Sequence, residues 1–273
     1  MGGLDLDLSS PIARLARARH LLDVLKKRID EEFEREKPYK VRLGQKTDAN
    51  GWLPVFMVPR DLSELRLGIA FGEVLYNLRC SLDYIVVELV AKSPGAMLTQ
   101  QHKFPIYESR DKYVERVERP AAKGRGPLGG VKHGGREIEA LQPYNWSEPI
   151  DTALSIVNRF CNADKHREIA TVVCFLGAGS LRLENCRVTG SREPTPRPLW
   201  QPGREHHVGD IKLAPPFAQG APPGTKWTVR YKAPIWFGTT KIGGEEKDQA
   251  FPLGDLGRCC NRIEQIIETF VSL

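Results

Sequence analysis

The stretch FGEVLYNLRCSLDYIVVEL, residues 71–89, decides the fold. It lies in a proline-free segment, 61–92, whose apolar residues recur every three or four positions: Phe71, Leu75, Leu78, Leu82, Ile85 and Leu89. This spacing predicts a long helix that buries one face against other elements. Asp61 and Glu64 resemble a capping box, which predicts that the helix begins at Asp61.

Polar residues flank this apolar stripe on the same helix: Glu73, Tyr76, Asn77, Arg79, Asp83 and Tyr84. Side chains beside a packed stripe are partly desolvated, and burying one unpaired costs about 1–3 kcal/mol. We therefore expect these groups to find partners, and the four-residue spacing of Arg79 and Asp83 allows an ion pair on the helix itself. Such a pair either fixes how the helices dock or contacts an anion such as phosphate.

Three further helices and a hairpin are predicted around this segment. Ser10 and Pro11 begin a helix that ends before Pro38, Ser147–Pro149 begins another, and a last helix follows Pro252. Alternating residues at 39–43 and 54–58 predict a β-hairpin with a turn at Asn50–Gly51. Beyond Arg167 the apolar period changes to two, which predicts strands at 171–176, 181–188, 208–213 and 226–235.

These elements predict an α+β fold with a four-helix-bundle-like core. Residues 1–169 and 251–273 would form the bundle, with the hairpin at about 39–58, and residues 170–250 would form a β-rich insertion before the last helix. A chain of 273 residues is long enough for one large domain, so we expect both parts to pack together.

Composition and motifs narrow the function only slightly. Forty Lys and Arg against thirty-four Asp and Glu give a net charge of +6, which favours phosphate-bearing partners only weakly. We expect no cofactor, because the glycine-rich segment 124–135 lacks the G-K-[ST] of a phosphate-binding loop. We also expect no metal site, since the six cysteines include no C-x-x-C pair. No membrane-spanning run or secretion signal is evident, and a cytoplasmic location is expected.

Charged and polar residues cluster at the end of the third long helix. This helix ends in Asn162-Ala-Asp-Lys-His-Arg167 and carries Arg159 one turn earlier. Arg159 and His166 are seven residues apart and therefore share a helix face. Histidine suits general acid–base chemistry near neutral pH. A charged cluster at a helix carboxyl terminus also interacts favourably with the helix dipole, so both interpretations stay open.

Four motifs, taken in order, resemble a widespread family of bacterial proteins to which no activity is assigned. The motifs are Gly72-Glu-x-Leu-x-Asn-Leu-Arg-x-x-Leu-Asp83, Phe104-Pro-Ile106, Leu141-Gln-Pro-Tyr144 and Asn162-x-Asp-Lys-His-Arg167. Together with Ser10–Leu15 they extend the resemblance over residues 10 to 168.

The Asn-Leu-Arg helix is also similar to the Arg-x4–6-His motif of HEPN proteins, helical bundles that include metal-independent ribonucleases and nucleotide-binding relatives. The position five residues after Arg79 is Tyr84 where that pattern has His, whereas Arg159 and His166 match it. The resemblance implies that Arg79 and Arg159 hold a phosphate while His166 moves a proton. The expected binding residues around them are Asn77, Asp83, Tyr84, Asn162, Asp164, Lys165 and Arg167.

Two functional hypotheses follow. The first is an RNA-directed, HEPN-like protein that binds RNA or a nucleotide, or cleaves RNA without a metal. It is favoured by a tract from Arg110 to Arg136 with eight Lys or Arg against three acids. The second is a non-catalytic bundle in which the same polar residues orient the helices, with a homodimer or another protein as partner.

Overall fold

The computed structural model describes residues 5–37, 39–165, 171–174, 182–183, 187–192, 203–215, 229–230, 235–238, 250–271 and 273. The fold is mixed helix and strand, which confirms the predicted α+β class. The helices are α1 Ser9–Arg35, α2 Leu67–Ala91, α3 Arg110–Tyr113, α4 Arg119–Ala121, α5 Gly135–Ala140, α6 Ala153–Lys165 and α7 Asp255–Val271. The strands are β1 Tyr39–Leu43, β2 Leu53–Pro59, β3 Thr171–Cys174, β4 Arg182–Leu183, β5 Val188–Arg192, β6 His206–Leu213, β7 Val229–Arg230, β8 Ile235–Gly238 and β9 Ala250–Pro252.

Helix α2 lies at the centre of the helical layer and contacts α1, α6 and α7. The six residues of the predicted apolar stripe are at most 1% exposed, so the sequence assigned the buried face of α2 correctly. The predicted start at Asp61 is wrong. A short 3-10 turn, Ser63–Leu65, precedes Arg66, whose φ of 49° lies in the left-handed region and interrupts the helix before Leu67. This break allows Leu62 and Leu67 both to be buried.

The predicted hairpin is confirmed and is part of a larger sheet. Strands β1 and β2 pair antiparallel, with Tyr39 opposite Pro59 and Leu43 opposite Val55. Strand β6 pairs with the other edge of β2, and β5 pairs with β6, so the strand order is β1-β2-β6-β5. Two strands from the β-rich segment 170–250 therefore extend the sheet that the hairpin begins.

A second sheet, of order β3-β8-β9, joins the helices through phenylalanines. The rings of Phe71 on α2 and Phe237 on β8 stack with centroids 4.0 Å apart. Phe160 on α6 lies edge-on to Phe71 at 5.6 Å and is 5.8 Å from Phe251 on β9. The single strand predicted at 226–235 corresponds to β7 and the start of β8, which pair with β4 and β3, respectively. The aromatic cluster thus links the centre of α2 to the late strands.

The glycine-rich segment 124–135 forms a series of turns against the helical layer. Gly134 has a φ of 81°, and a Cβ built there would lie 2.8 Å from both Leu89 methyl groups and 3.3 Å from the Phe270 ring. Both its conformation and its surroundings therefore require glycine.

Replacing Gly134 by alanine should lower the free energy of unfolding by at least about 1 kcal/mol, because alanine is strained in the left-handed region and meets Leu89. Gly257→Ala on α7 is the matched control, since nothing lies within 4 Å of the added Cβ, and it should stabilise the protein by about 0.5 kcal/mol. Urea denaturation measures both changes. Equal effects of the two substitutions would contradict the close packing of the glycine-rich segment.

Candidate functional site

Arg79 and Asp83 hold the segment that follows α2. The Arg79 side chain is buried; its Nη2 donates to the Phe104 carbonyl oxygen at 2.6 Å and lies 3.0 Å from Asp83 Oδ1. Asp83 Oδ1 in turn accepts the Phe104 backbone N–H at 2.9 Å. The ion pair predicted within α2 is thus present, and it binds both polar backbone groups of Phe104. We call Arg79 and Asp83, with their contacts to Phe104, the clamp. This interaction connects two of the sequence motifs, one on α2 and one at 104–106.

Gln142 holds the next residues of the same segment. Its Nε2 donates to the carbonyl oxygens of Pro105 at 2.8 Å and of Ile138 at 3.0 Å, while its Oε1 accepts the Tyr107 N–H at 3.0 Å. The Gln142 side chain is fully buried. Residues 104–107 belong to no helix or strand, so these side chains supply hydrogen bonds that regular structure would otherwise provide.

The clamp also contacts α6, through Asn158, which is not among the predicted site residues. Asn158 Oδ1 lies 3.4 Å from Arg79 Nη1 and 3.5 Å from Asn162 Nδ2. Both distances are long, so these contacts are weaker than those to Phe104. Arg79 and Asn162 are therefore brought to the same asparagine, with the N–H groups of Arg79 directed to acceptors of the protein itself. The role of Arg79 as a phosphate ligand stays a prediction.

Asn77 and Tyr84 lie at the contact of α2 with α1. Arg14 on α1 donates to Asn77 Oδ1 at 3.3 Å and to the Tyr84 hydroxyl at 3.2 Å, and its guanidinium carbon is 5.4 Å from the centre of the Tyr84 ring. The hydrogen bond that Arg14 donates to the Tyr84 hydroxyl raises the pKa of Arg14. Asn77 is held in turn by its Nδ2, which donates to the Glu73 carbonyl oxygen at 2.8 Å. The polar residues of α2 therefore divide into two sets with different partners.

A cleft of about 390 Å³ lies between α1, α2 and the end of α6, next to this second set. Its lining includes Arg14, Asn77 and Asp164. A Cβ added to Gly72 would lie 2.8 Å from the Asp164 carboxyl group, so the absence of a side chain at Gly72 lets Asp164 approach α2 closely. Of the predicted site residues, Asn77 and Asp164 thus meet in one cleft.

Arg159 is separate from Arg79 in its contacts. Its Nη1 lies 3.4 Å from the Ile150 carbonyl oxygen, and its buried Nε has no hydrogen-bond partner among the described residues. Burial lowers the pKa of Arg159, although Glu108 and Asp151 oppose that shift. A buried guanidinium N–H without an acceptor is a group that an anion would stabilise.

Three predicted site residues remain: Lys165, His166 and Arg167. His166 and Arg167 lie outside the described residues, and Lys165 ends α6 without a described side chain. Convergence of His166 with Arg79 and Arg159 stays a prediction.

Exposed cations concentrate in the segment from Arg110 to Arg136, which comprises α3, a π-helical turn Val114–Glu118, α4, the glycine-rich turns and the start of α5. Arg110 pairs with Glu118 and Glu139, and Arg116 pairs with Glu115. The other six cations are exposed and have no carboxylate within 4 Å among the described residues: Lys112, Arg119, Lys123, Arg125, Lys132 and Arg136. We call these six residues the basic surface.

A cavity of about 590 Å³ connects the two halves of this segment. Its lining includes Lys132 and Arg136 from the second half and Val117 and Glu118 from the first. Three carboxylates, Glu118, Glu137 and Glu139, also line the cavity. Arg110 pairs with two of them, so the cations and carboxylates around the cavity balance.

Three residues of these clusters were not predicted as site residues: Arg14, Asn158 and Gln142. Each of them is far along the chain from the residue that it contacts. Arg14 is 63 residues from Asn77, and Asn158 is 79 residues from Arg79. Gln142 stood in a recognised motif, but nothing local connects it to Pro105, 37 residues earlier. For Gln142, its place in the same motif set as Arg79 was the one available signal.

No described helix is both long enough and apolar enough to cross a membrane. Within the same part of the chain, no three His, Cys, Asp or Glu side chains gather in a group that could hold a metal ion. Comparison with protein-family models, curated proteins and solved structures found no match for this chain.

Arg79→Ala should lower the free energy of unfolding by about 2–3 kcal/mol, because it leaves Asp83 and the Phe104 carbonyl without their cation. The double variant Arg79→Ala/Asp83→Ala should lose less than the sum of the single losses, since the two residues form one unit. Urea denaturation of the two single variants and the double variant measures this coupling.

The matched control is Arg17→Ala, which removes an exposed arginine and should change stability little. If Arg79→Ala lowered the free energy of unfolding as little as Arg17→Ala, the clamp would not stabilise the fold.

Proposed function

We propose that this protein is a non-catalytic RNA-binding protein that contacts the phosphate backbone through the basic surface. The observation that carries the proposal is the set of six exposed cations within 25 residues that lack a carboxylate partner among the described residues. Cations already paired with carboxylates must break those pairs to bind phosphate, whereas these six need not. Such contacts bind RNA without reading its sequence.

The geometry of Arg79 supports the non-catalytic part of the proposal. A phosphate ligand must direct free N–H groups to the substrate, but the N–H groups of Arg79 lie against Asp83, Phe104 and Asn158. Releasing them would leave the buried Phe104 carbonyl without this donor and the half-buried Asp83 carboxylate without its cation, at a cost of about 1–3 kcal/mol for each group. Arg79 therefore fits a role in positioning the segment 104–107.

We further propose that α1, α2, α6 and α7 act as one four-helix bundle that carries the basic surface on the connection between α2 and α6. Contacts of α2 with the other three helices, and of α7 with α1 and α6, support this arrangement. Arg19 on α1 and Glu264 on α7 add a two-pronged ion pair at 2.8 Å.

Binding of a fluorescent single-stranded RNA, followed by anisotropy as salt increases, tests the proposal. Each phosphate contact contributes about 0.7 to the slope of log affinity against log salt for single strands. The variant Arg119→Gln/Lys123→Gln/Arg125→Gln should therefore bind more weakly and reduce the slope by about 2.

The control variant Lys26→Gln/Arg28→Gln/Lys46→Gln removes the same charge from exposed positions outside the basic surface. It should keep the wild-type slope. Equal losses of RNA affinity in both variants would show that net charge, and not the basic surface, causes the binding. No RNA binding by the wild type would favour the second hypothesis, a bundle that binds another protein or a second copy of itself.

A second candidate function is metal-independent RNA cleavage. It is favoured by the buried Nε of Arg159, which has no hydrogen-bond partner in the described part of the chain. In this version Arg159 contacts the phosphate and His166 moves the proton. The non-catalytic proposal predicts that wild type leaves RNA intact in the presence of a chelator. Cleavage by wild type that is lost in both Arg159→Ala and His166→Ala would establish the ribonuclease instead.

A further inference from the structure

The cleft between α1, α2 and α6 has charges of opposite sign on facing elements. Arg14 and Arg17 line it from α1, whereas Glu73 lines it from α2 and Asp164 from the end of α6. None of these four residues forms an ion pair within 4 Å among the described residues. Two cations and two carboxylates therefore share one cleft without neutralising each other directly.

Arg14 is held in position by neutral groups. The Asn77 amide oxygen and the Tyr84 hydroxyl accept its hydrogen bonds at 3.3 and 3.2 Å, so its positive charge has no carboxylate partner in the part of the chain that the structure describes. Asn77 is itself only 7% exposed and is fixed to the Glu73 carbonyl. A guanidinium oriented in this way loses little freedom when it binds a carboxylate.

The carboxylate side is also built into the fold. Asp164 lies directly over Gly72, the position on α2 where any side chain would collide with it. Apolar surface completes the cleft: Leu21 is half-buried, Ile69 is 53% exposed and Tyr76 is 51% exposed. Exposed apolar groups beside a recess are typical of ligand sites.

We propose that this cleft binds a small zwitterion, an α-amino acid with an apolar or aromatic side chain. The ligand's carboxylate binds Arg14 and Arg17, its ammonium group binds Asp164 and Glu73, and its side chain packs on Ile69 and Tyr76. A ligand that is only an anion is repelled by the two carboxylates, and a ligand that is only a cation is repelled by the two arginines. This site does not depend on the proposed RNA binding, because it uses none of the residues of the basic surface.

Calorimetric titration with L-phenylalanine tests the site, with two analogues that each lack one charge. Phenylalanine should bind, while 3-phenylpropanoate, without the ammonium group, and phenethylamine, without the carboxylate, should each bind at least about tenfold more weakly. No heat of binding with millimolar phenylalanine or leucine would overturn the proposal. Equal affinity for 3-phenylpropanoate would overturn it too, because the cleft would then be a simple anion site.

Variants of the lining residues test whether phenylalanine binds in this cleft. Arg17→Gln and Asp164→Asn should each weaken phenylalanine binding about tenfold, whereas Arg28→Gln, an exposed α1 position outside the cleft, should leave it unchanged. Arg17 has no partner that its loss would disturb among the described residues, so its variant should keep the wild-type melting temperature. RNA affinity measured on the same variants should be unaffected. Wild-type phenylalanine affinity in both Arg17→Gln and Asp164→Asn would overturn the assignment to this cleft.

Discussion

The rest of the helical layer depends on the ion pair between Arg79 and Asp83, which is hydrogen-bonded to the backbone of Phe104. Residues 104–107 pass between buried elements without forming a helix or strand, and their backbone groups require partners because unpaired buried polar groups are costly. Arg79 and Asp83 supply them from α2, and Gln142 supplies them from the other side. The connection from α2 to the segment before α6 is therefore fixed by side chains of two sequence motifs, which bind the backbone of a third.

This constraint separates structural charges from charges that are free to bind. The Arg79 and Asp83 pair is used internally, which supports a positioning role for the most prominent polar motif of the sequence. Elsewhere, charges that have no ion-pair partner among the described residues cluster in the basic surface and in the cleft beside Arg14. Functional hypotheses for this protein are therefore better founded on those two places than on the α2 motif alone.

Local patterns predicted what local chemistry determines. The apolar stripe from Phe71 to Leu89, the hairpin and the Arg79–Asp83 pair were all predictable, since each depends on residues close in sequence. The start of α2 was not, because the left-handed Arg66 reflects the burial of leucines on both sides of it. The contact between Arg79 and Phe104 was not predictable either, because no periodicity connects residues 25 positions apart. The same limit applied to Arg14, which determines the environment of Asn77 and Tyr84 from another helix.

Amide hydrogen exchange at Phe104 and Tyr107 tests the central claim most directly, since their N–H groups are donated to the side chains of Asp83 and Gln142. If these side chains hold the segment, both amides should exchange far more slowly than the amides of an open loop. Asp83→Ala should then increase the exchange rate of the Phe104 amide more than the rates of the core amides of α2. Exchange of both wild-type amides at the rate of an unstructured chain would contradict the clamp and its role in the fold.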